Sequence, residues 1–409
     1  MGLRTSLPSA SWFAAMGSVV SLGAQGLFAL FLLKLFDATA VGQFSVVSQI
    51  AFAWATLALA QSPLSLLANR HKAVHSAAAA AWGQSALRLL WMSPWVALAL
   101  WWSQRHSAVS PLEWLSLAPW VAGIALLQMS WMLAQSLTLR QQAPAAVAWV
   151  RLLPPVLAAL IAWWGAVVLG ATHSHTLLLS ALLGYAAGAA WLVPVWTRPQ
   201  PSPLALDTET PQHGDARSTR LKLLHTLSDV AVSGLLAVQW QALYGTAEAG
   251  LLLVLLRVLG FIPGLVHSAW AQVVMSEGAA QGRASLRMAA LACGVVNVLT
   301  LCIQTALQLG WLQASWQGLD AYLWPLACWQ MAACVMAAHA HLPFAHGRAA
   351  RLSWQCIGIN AAMLALLCLP LLGLPIALTA HQHLLLLSGF MTLALLVQAL
   401  DHGMHRHSR

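Results

Sequence analysis

The chain has 409 residues, of which 60% are hydrophobic and only 7% charged, against about 25% charged in ordinary soluble domains, so a soluble enzyme is excluded. The formal charge of +9 does not point to nucleic acid, because Lys and Arg occur as ones and twos and never form a basic run or face. What remains is an all-α, polytopic membrane protein whose basic residues mark its orientation.

Apolar stretches of roughly 20 residues, the length needed to cross about 30 Å of hydrocarbon, follow one another along the whole chain. They predict spans at residues 12–33, 42–66, 82–102, 114–137, 144–169 and 176–197, then at 221–242, 248–274, 285–309, 317–338, 351–371 and 380–400. The first follows a short segment with one charge, Arg4, and runs past the length of a signal-peptide core with no clear small-residue cleavage site, so it reads as a retained helix. With the N-terminus in the cytoplasm, Arg4, Arg70, Lys72, Arg140, Arg198, Arg217, Arg220, Lys222, Arg283, Arg287, Arg348, Arg351, Arg406 and Arg409 lie inside or at inner helix ends, and Lys34 and Arg105 outside. The positive-inside rule therefore favours about twelve spans with both termini cytoplasmic. Trp12, Trp102, Trp114, Trp196, Trp270 and Trp311 stand near span ends, where an amphipathic ring favours the headgroup region.

The long polar segment RPQPSPLALDTETPQHGDARSTR divides the chain into an N-terminal six-helix lobe, 1–197, a cytoplasmic linker, 198–220, and a C-terminal six-helix lobe with a short basic tail, 221–409. The halves look alike. LFDATAVGQFSVVSQIAFAW, from Leu35 to Trp54, can be laid without a gap on LYGTAEAGLLLVLLRVLGFI, from Leu243 to Ile262, at an offset of 208 residues that matches Gly42 with Gly250. An even number of spans separates the two stretches, which predicts a parallel repeat and pseudo-symmetric lobes.

Charges inside spans are the most informative single residues, because an uncompensated Arg at the bilayer centre costs about 2.5–3.5 kcal/mol on insertion scales. Arg88 lies near the start of the third span. Arg151 lies about two turns into the fifth, just before Pro154 and Pro155. Arg257 is deep in the eighth, between LLLVLL and VLGFIP, where it either binds an anionic group through its planar fork of donors or pairs and snorkels. In the seventh span Lys222, His225, Asp229 and Ser233 recur at helical spacing. Asp229, with His225 as a second titrating group, is the candidate for ion coupling, the alternative being an interfacial acid paired with a nearby Arg or Lys.

Pro94, Pro119, Pro154, Pro155, Pro263 and Pro325 fall within spans, where kinks are tolerated. Gly184 with Gly188, and Gly260 with Gly264, have the spacing of close helix packing. The cysteines, all in second-half spans and without a CxxC, read as small apolar residues. The pairs His173 with His175, His339 with His341, His381 with His383, and His405 with His407 lack an acid or cysteine partner in sequence, so no metal is expected. No GxxxxGK[ST] loop occurs, and no cofactor is called for.

LLKLFDATAVGQFSVVSQIA, LTLRQQAPAAVAWVRLL, LLSALLGYAAG and LYGTAEAGLLLVLLRVLGFIPGLVHSAWAQVV resemble, in order and spacing over nearly the whole chain, the bacterial polysaccharide-biosynthesis flippases. These belong to the multidrug, oligosaccharidyl-lipid and polysaccharide exporter superfamily. The resemblance implies a non-enzymatic, two-lobed, twelve-helix carrier of the inner membrane with a central cavity. Such a carrier moves an isoprenoid-diphosphate-linked oligosaccharide from the cytoplasmic to the outer leaflet for surface polysaccharide, lipopolysaccharide or exopolysaccharide assembly, and a polysaccharide polymerase is an implied partner. Arg257 matches the arginine of the family's eighth-span pattern, and Arg151 and Arg88 are further candidates to meet the substrate. The first span carries no acid or Arg, unlike the superfamily's peptidoglycan-precursor flippases, which implies another oligosaccharide.

Three alternatives stand beside this reading. One is an ion-coupled multidrug antiporter of the same superfamily. The second is a sugar transporter of the major facilitator type, disfavoured because SLLANRHKAVHS lacks the Gly and Asp expected before its Arg. The third is a membrane polymerase or ligase, disfavoured by short outer loops.

Overall fold

The computed structural model describes residues 9–60, 62–68, 73–104, 113–141, 144–197, 216–270, 282–345, 347–372 and 378–404, and every regular element among them is helical. Hydrocarbon offers backbone amides no partners, so an apolar chain of this kind satisfies them within each segment. In chain order the long helices are α1 (Ser9–Leu35), α2 (Ala38–Leu59), α3 (Val74–Ser103), α4 (Glu113–Arg140), α5 (Pro144–Val167), α6 (Ser174–Ala189), α7 (Ala216–Tyr244), α8 (Thr246–Leu265), α9 (Gly282–Gln308), α10 (Leu319–His339), α11 (Ala349–Leu367) and α12 (Ala380–Met404).

Among the described residues, ten helices are long and apolar enough to cross a membrane. The chain is therefore a multi-pass membrane protein. The two long helices outside that number are α1, whose described apolar stretch is Gly23–Leu35, and α3, which is long but diluted by Gln84, Arg88 and five tryptophans.

Boundaries move where local chemistry extends or ends a helix. α3 begins at Val74 rather than at residue 82, because Ala77–Ala81 are strong helix formers. α7 begins at Ala216, inside the segment expected as linker, and the rest of that segment, 198–215, lies outside the described residues. The eighth span was expected to reach 274. α8 instead leaves the α-helical pattern beyond Pro263, in a π-helical turn at Val266–Trp270; proline removes a backbone donor and forces such local rearrangement. A single residue, Gly245, joins α7 to α8 with φ of 92°, a left-handed conformation open to glycine at little cost.

Two compact units result, one of residues 1–36 and 43–213, the other of residues 37–42 and 214–409. In the first, α1 packs on α5, α5 and α4 on α6, and α3 on α4. In the second, α7 packs on α11, α11 and α10 on α12, and α9 on α10. The same pairings thus recur six helices later, as a parallel repeat requires.

Within the second unit the first turn of α2 crosses the first turn of α8 glycine to glycine. A Cβ on Gly42 would stand 1.9 Å from the Thr246 carbonyl oxygen, and one on Gly250 would stand 2.0 Å from that of Ala38. These are the residues matched by the 208-residue offset, and the contact is reciprocal. The turn is anchored by Asp37, whose carboxylate accepts the Ala40 amide at 2.6 Å as an N-cap.

In the first unit Gly184 and Gly188 seat α6 against its neighbours, as their spacing predicts. A Cβ at Gly184 would lie 2.6 Å from the Pro154 carbonyl, and one at Gly188 would lie 2.4 Å from Trp131 Cδ1. Gly260 and Gly264 differ from that expectation. The nearest atom to a Cβ at Gly260 is 3.5 Å away, and Gly264 has none within 4 Å, so neither marks a close helix crossing.

Candidate functional site

Arg88 and Arg151 lie in the first unit, and His225, Asp229 and Arg257 in the second. Arg88 reaches back to the end of α2. Its Nη1 donates to the carbonyls of Ala58 and Leu59 at 3.4 and 3.5 Å and to Ser62 Oγ at 3.3 Å. The last carbonyls of a helix lack intrahelical partners and carry the negative end of its dipole, so a guanidinium there is a C-terminal cap. Ser85 extends the arrangement by bonding Ser62 at 3.2 Å, and Trp54 Nε1 ties α2 to the Leu89 carbonyl at 2.8 Å.

Arg151 is half-buried on α5. Its carbonyl accepts from Ser21 of α1 at 3.0 Å. The preceding carbonyl, Val150, accepts from Trp131 Nε1 at 2.6 Å, and Trp131 packs against Tyr185 with ring centroids 5.3 Å apart. Tyr185 in turn takes a long bond of 3.4 Å from Gln128. Arg151 therefore sits at the end of an aromatic and amide ladder that joins α1, α4, α5 and α6.

Arg257 is half-buried on α8. At helical spacing it shares a face with Leu253, Phe261 and the exposed Gly264, whereas Leu252, Leu255, Leu259 and Pro263 opposite are buried. The guanidinium thus belongs to the less enclosed face of an apolar helix.

Asp229 and His225 come together as their spacing predicts, with Nε2 3.4 Å from the carboxylate. A residue that spacing does not indicate completes the group. Asn360 of α11, itself buried, donates from one amide nitrogen to Asp229 at 2.6 Å and to Ser228 at 2.9 Å. The Asp229 side chain remains 55% exposed. Arg351, the basic residue on the same helix as Asn360, is engaged elsewhere, by Asp401 at 2.8 Å, and Gln355 donates to the same carboxylate at 2.8 Å. Asp229 is therefore an accessible carboxylate oriented by an amide and faced by an imidazole, an arrangement able to take up and release a proton or cation.

A second polar group in this unit escaped sequence reasoning. Tyr244, Tyr322 and His383 surround the fully buried Trp240, and Tyr322 donates to Glu248. The available signal was compositional: of three tyrosines in the chain two are here, and Glu248 is the acid in the first turn of α8. His383 reads in sequence as one of a histidine pair with no acid or cysteine partner, yet it is fully buried in the first turn of α12.

Among the described residues no group of three or more His, Cys, Asp or Glu could hold a metal ion. The cysteines are free thiols, with Cys334 buried. His405 and His407 lie outside the described residues, as do the side chains of Trp12 and Trp196.

The order and packing of these helices define a known class of fold, that of the MATE transporters of the MOP superfamily. The chain is similar over 96% of its length, and 96% of the other chain, to an inward-facing multidrug resistance MATE family transporter of that superfamily, with a TM-score of 0.64 and 13% identity. It is also similar to a MATE protein in complex with MaL6, over 97% of this chain and 95% of that one (TM-score 0.53, 11% identity). A third likeness, over 96% and 93% (TM-score 0.50, 11% identity), is to a MOP superfamily transporter from Pyrococcus furiosus described as having a reverse polarity of its binding pocket that suggests a different function. At the level of sequence no family model matches the chain, and no curated relative does.

Proposed function

We propose that this protein is a flippase that carries an isoprenoid-diphosphate-linked oligosaccharide from the cytoplasmic to the outer leaflet of a bacterial inner membrane by alternating access. It would use twelve spans with both termini inside, catalyse no covalent step and need no cofactor. The observation that carries this reading is Arg257, a half-buried cation on the open face of a helix that is otherwise apolar except at its first turn. A diphosphate or acidic sugar matches the planar fork of donors that its guanidinium carries. Arg151 offers a second cation, half-buried on α5, whose preceding carbonyl is bonded to the aromatic pair Trp131 and Tyr185. Asp229 with His225 would couple the cycle to an ion gradient. Arg88 is spent on the end of α2, and the reading does not require it at the substrate.

A multidrug antiporter is the second reading, favoured by the accessible carboxylate of Asp229, which suits ion exchange against a cationic drug. The sidedness of isoprenoid-linked sugars in cells depleted of the protein separates the two, probed with a lectin or glycosidase on intact and inverted vesicles. Sugar confined to the cytoplasmic leaflet, restored by wild type but not by an equally expressed Arg257→Ala variant, supports the flippase and its contact. An unchanged distribution removes lipid-linked sugars and moves the antiporter to first place, to be measured as drug uptake by proteoliposomes.

A further inference from the structure

The end of α7, the starts of α8, α10 and α12 and the end of α11 meet at a polar knot that the cargo reading leaves unused. His383 sits at its centre, fully buried, with its ring stacked on Trp240 at 5.3 Å. Its Nε2 is 3.0 Å from the Leu366 carbonyl, and its Nδ1 is 2.9 Å from the Tyr244 hydroxyl. A carbonyl only accepts, so Nε2 carries a hydrogen and donates to Leu366. In the neutral ring Nδ1 then accepts from Tyr244.

Protonation does not break this arrangement. When Nδ1 gains a hydrogen it donates to the Tyr244 oxygen, which is an acceptor as well as a donor, and the Tyr244 hydrogen turns away. Both charge states keep both hydrogen bonds with every heavy atom in place. The Leu366 carbonyl lies in the last turn of α11, where the helix dipole favours a cation. The titratable group in contact with His383 is Tyr244 from α7; Tyr322 from α10 packs on the same indole at 6.3 Å and is bonded to Glu248 from α8.

Access is the remaining requirement. His383 has no surface of its own, but Tyr244 is half-buried. We propose that Tyr244 and His383 form a proton-uptake site, with the Tyr244 hydroxyl as relay. A hydronium ion gives a proton to the Tyr244 oxygen while the existing O–H bond breaks and its hydrogen forms the Nδ1–H bond of His383. Tyrosine ends neutral with a new O–H, water is released, and the imidazole gains one positive charge. The site is separate from the Asp229–His225 pair, which lies about 22 Å away along α7 by helical rise. α7 thus bears a proton-exchanging group towards each end, whichever cargo the protein carries.

The test needs no cargo. Full-length protein in detergent micelles, weakly buffered with an indicator dye, is taken from pH 8 to pH 5, the range of about 5–8 in which imidazoles titrate. Wild type takes up a single proton more than His383→Gln, whose amide keeps a donor for Leu366 and an acceptor for Tyr244, and Asp229→Asn retains that extra proton. In pH-jump kinetics Tyr244→Phe, which preserves the ring packing, slows this uptake by about tenfold or more, as expected when a positioned proton carrier is removed. Equal proton counts in wild type and His383→Gln overturn the proposal, and so does an unchanged rate in Tyr244→Phe, the deciding variant if His383→Gln fails to fold.

Discussion

Arg88, Asp229 and Gln241 show how far a polar side chain in an apolar helix owes its place to its nearest partners. Arg88 caps α2, so Arg88→Met should cost about 0.3–1 kcal/mol, seen as a small fall in thermal midpoint, and should leave sugar sidedness as in wild type. A variant of normal stability that loses transport would instead place Arg88 at the substrate. Asp229 is held by Asn360 and His225. Asp229→Asn keeps that geometry but removes the charge, so in vesicles its transport should lose the response to a collapsed pH gradient that wild type shows. Gln241, only 3% exposed, has no partner among the described residues for either amide atom. Replacing an unsatisfied buried amide by an apolar residue of the same shape is neutral or stabilising. Gln241→Met should therefore raise the midpoint, and a simultaneous loss of transport would mark the amide as reserved for cargo or ion.

Helices meet or part according to single glycines. Within the second unit Gly42 and Gly250 let the first turns of α2 and α8 approach until a Cβ would overlap a carbonyl, and backbone cannot yield as a flexible side chain can. Gly250→Ala should destabilise by at least about 1–3 kcal/mol, the usual cost of overpacking, with loss of monodisperse protein on size exclusion. Gly264→Leu meets open space and should leave folding and insertion intact; impaired transport in that variant would show that this open face of α8 is used. The sequence alone made Gly260 and Gly264 look like the packing pair in this helix. The spacing is the same as in Gly184 and Gly188, but spacing does not say which way a helix is rotated.

At the scale of the whole molecule two rules apply, hydropathy to the number of spans and charge to their orientation. Ten helices meet the first among the described residues, and the alternation of basic loops predicts the second. If twelve spans hold, accessibility labelling of single cysteines introduced into a cysteine-free background should find positions at 215 and 347 cytoplasmic, and positions at 173 and 310 external. Labelling of 173 from the cytoplasm would break the topology.

Hydropathy adds up residue by residue along the chain, which is why the all-helical, multi-pass class was legible without coordinates. Asp229 with His225 was legible for the same reason, since both lie on one helix at a spacing the helix itself fixes. Partners on other helices were not. That Arg88 ends on α2, that Asn360 rather than a basic residue holds Asp229, and that His383 is buried between Tyr244 and Leu366 depend on helix rotation, crossing and depth. Those are decided by close packing across the bundle, a property of many residues at once that no local pattern records.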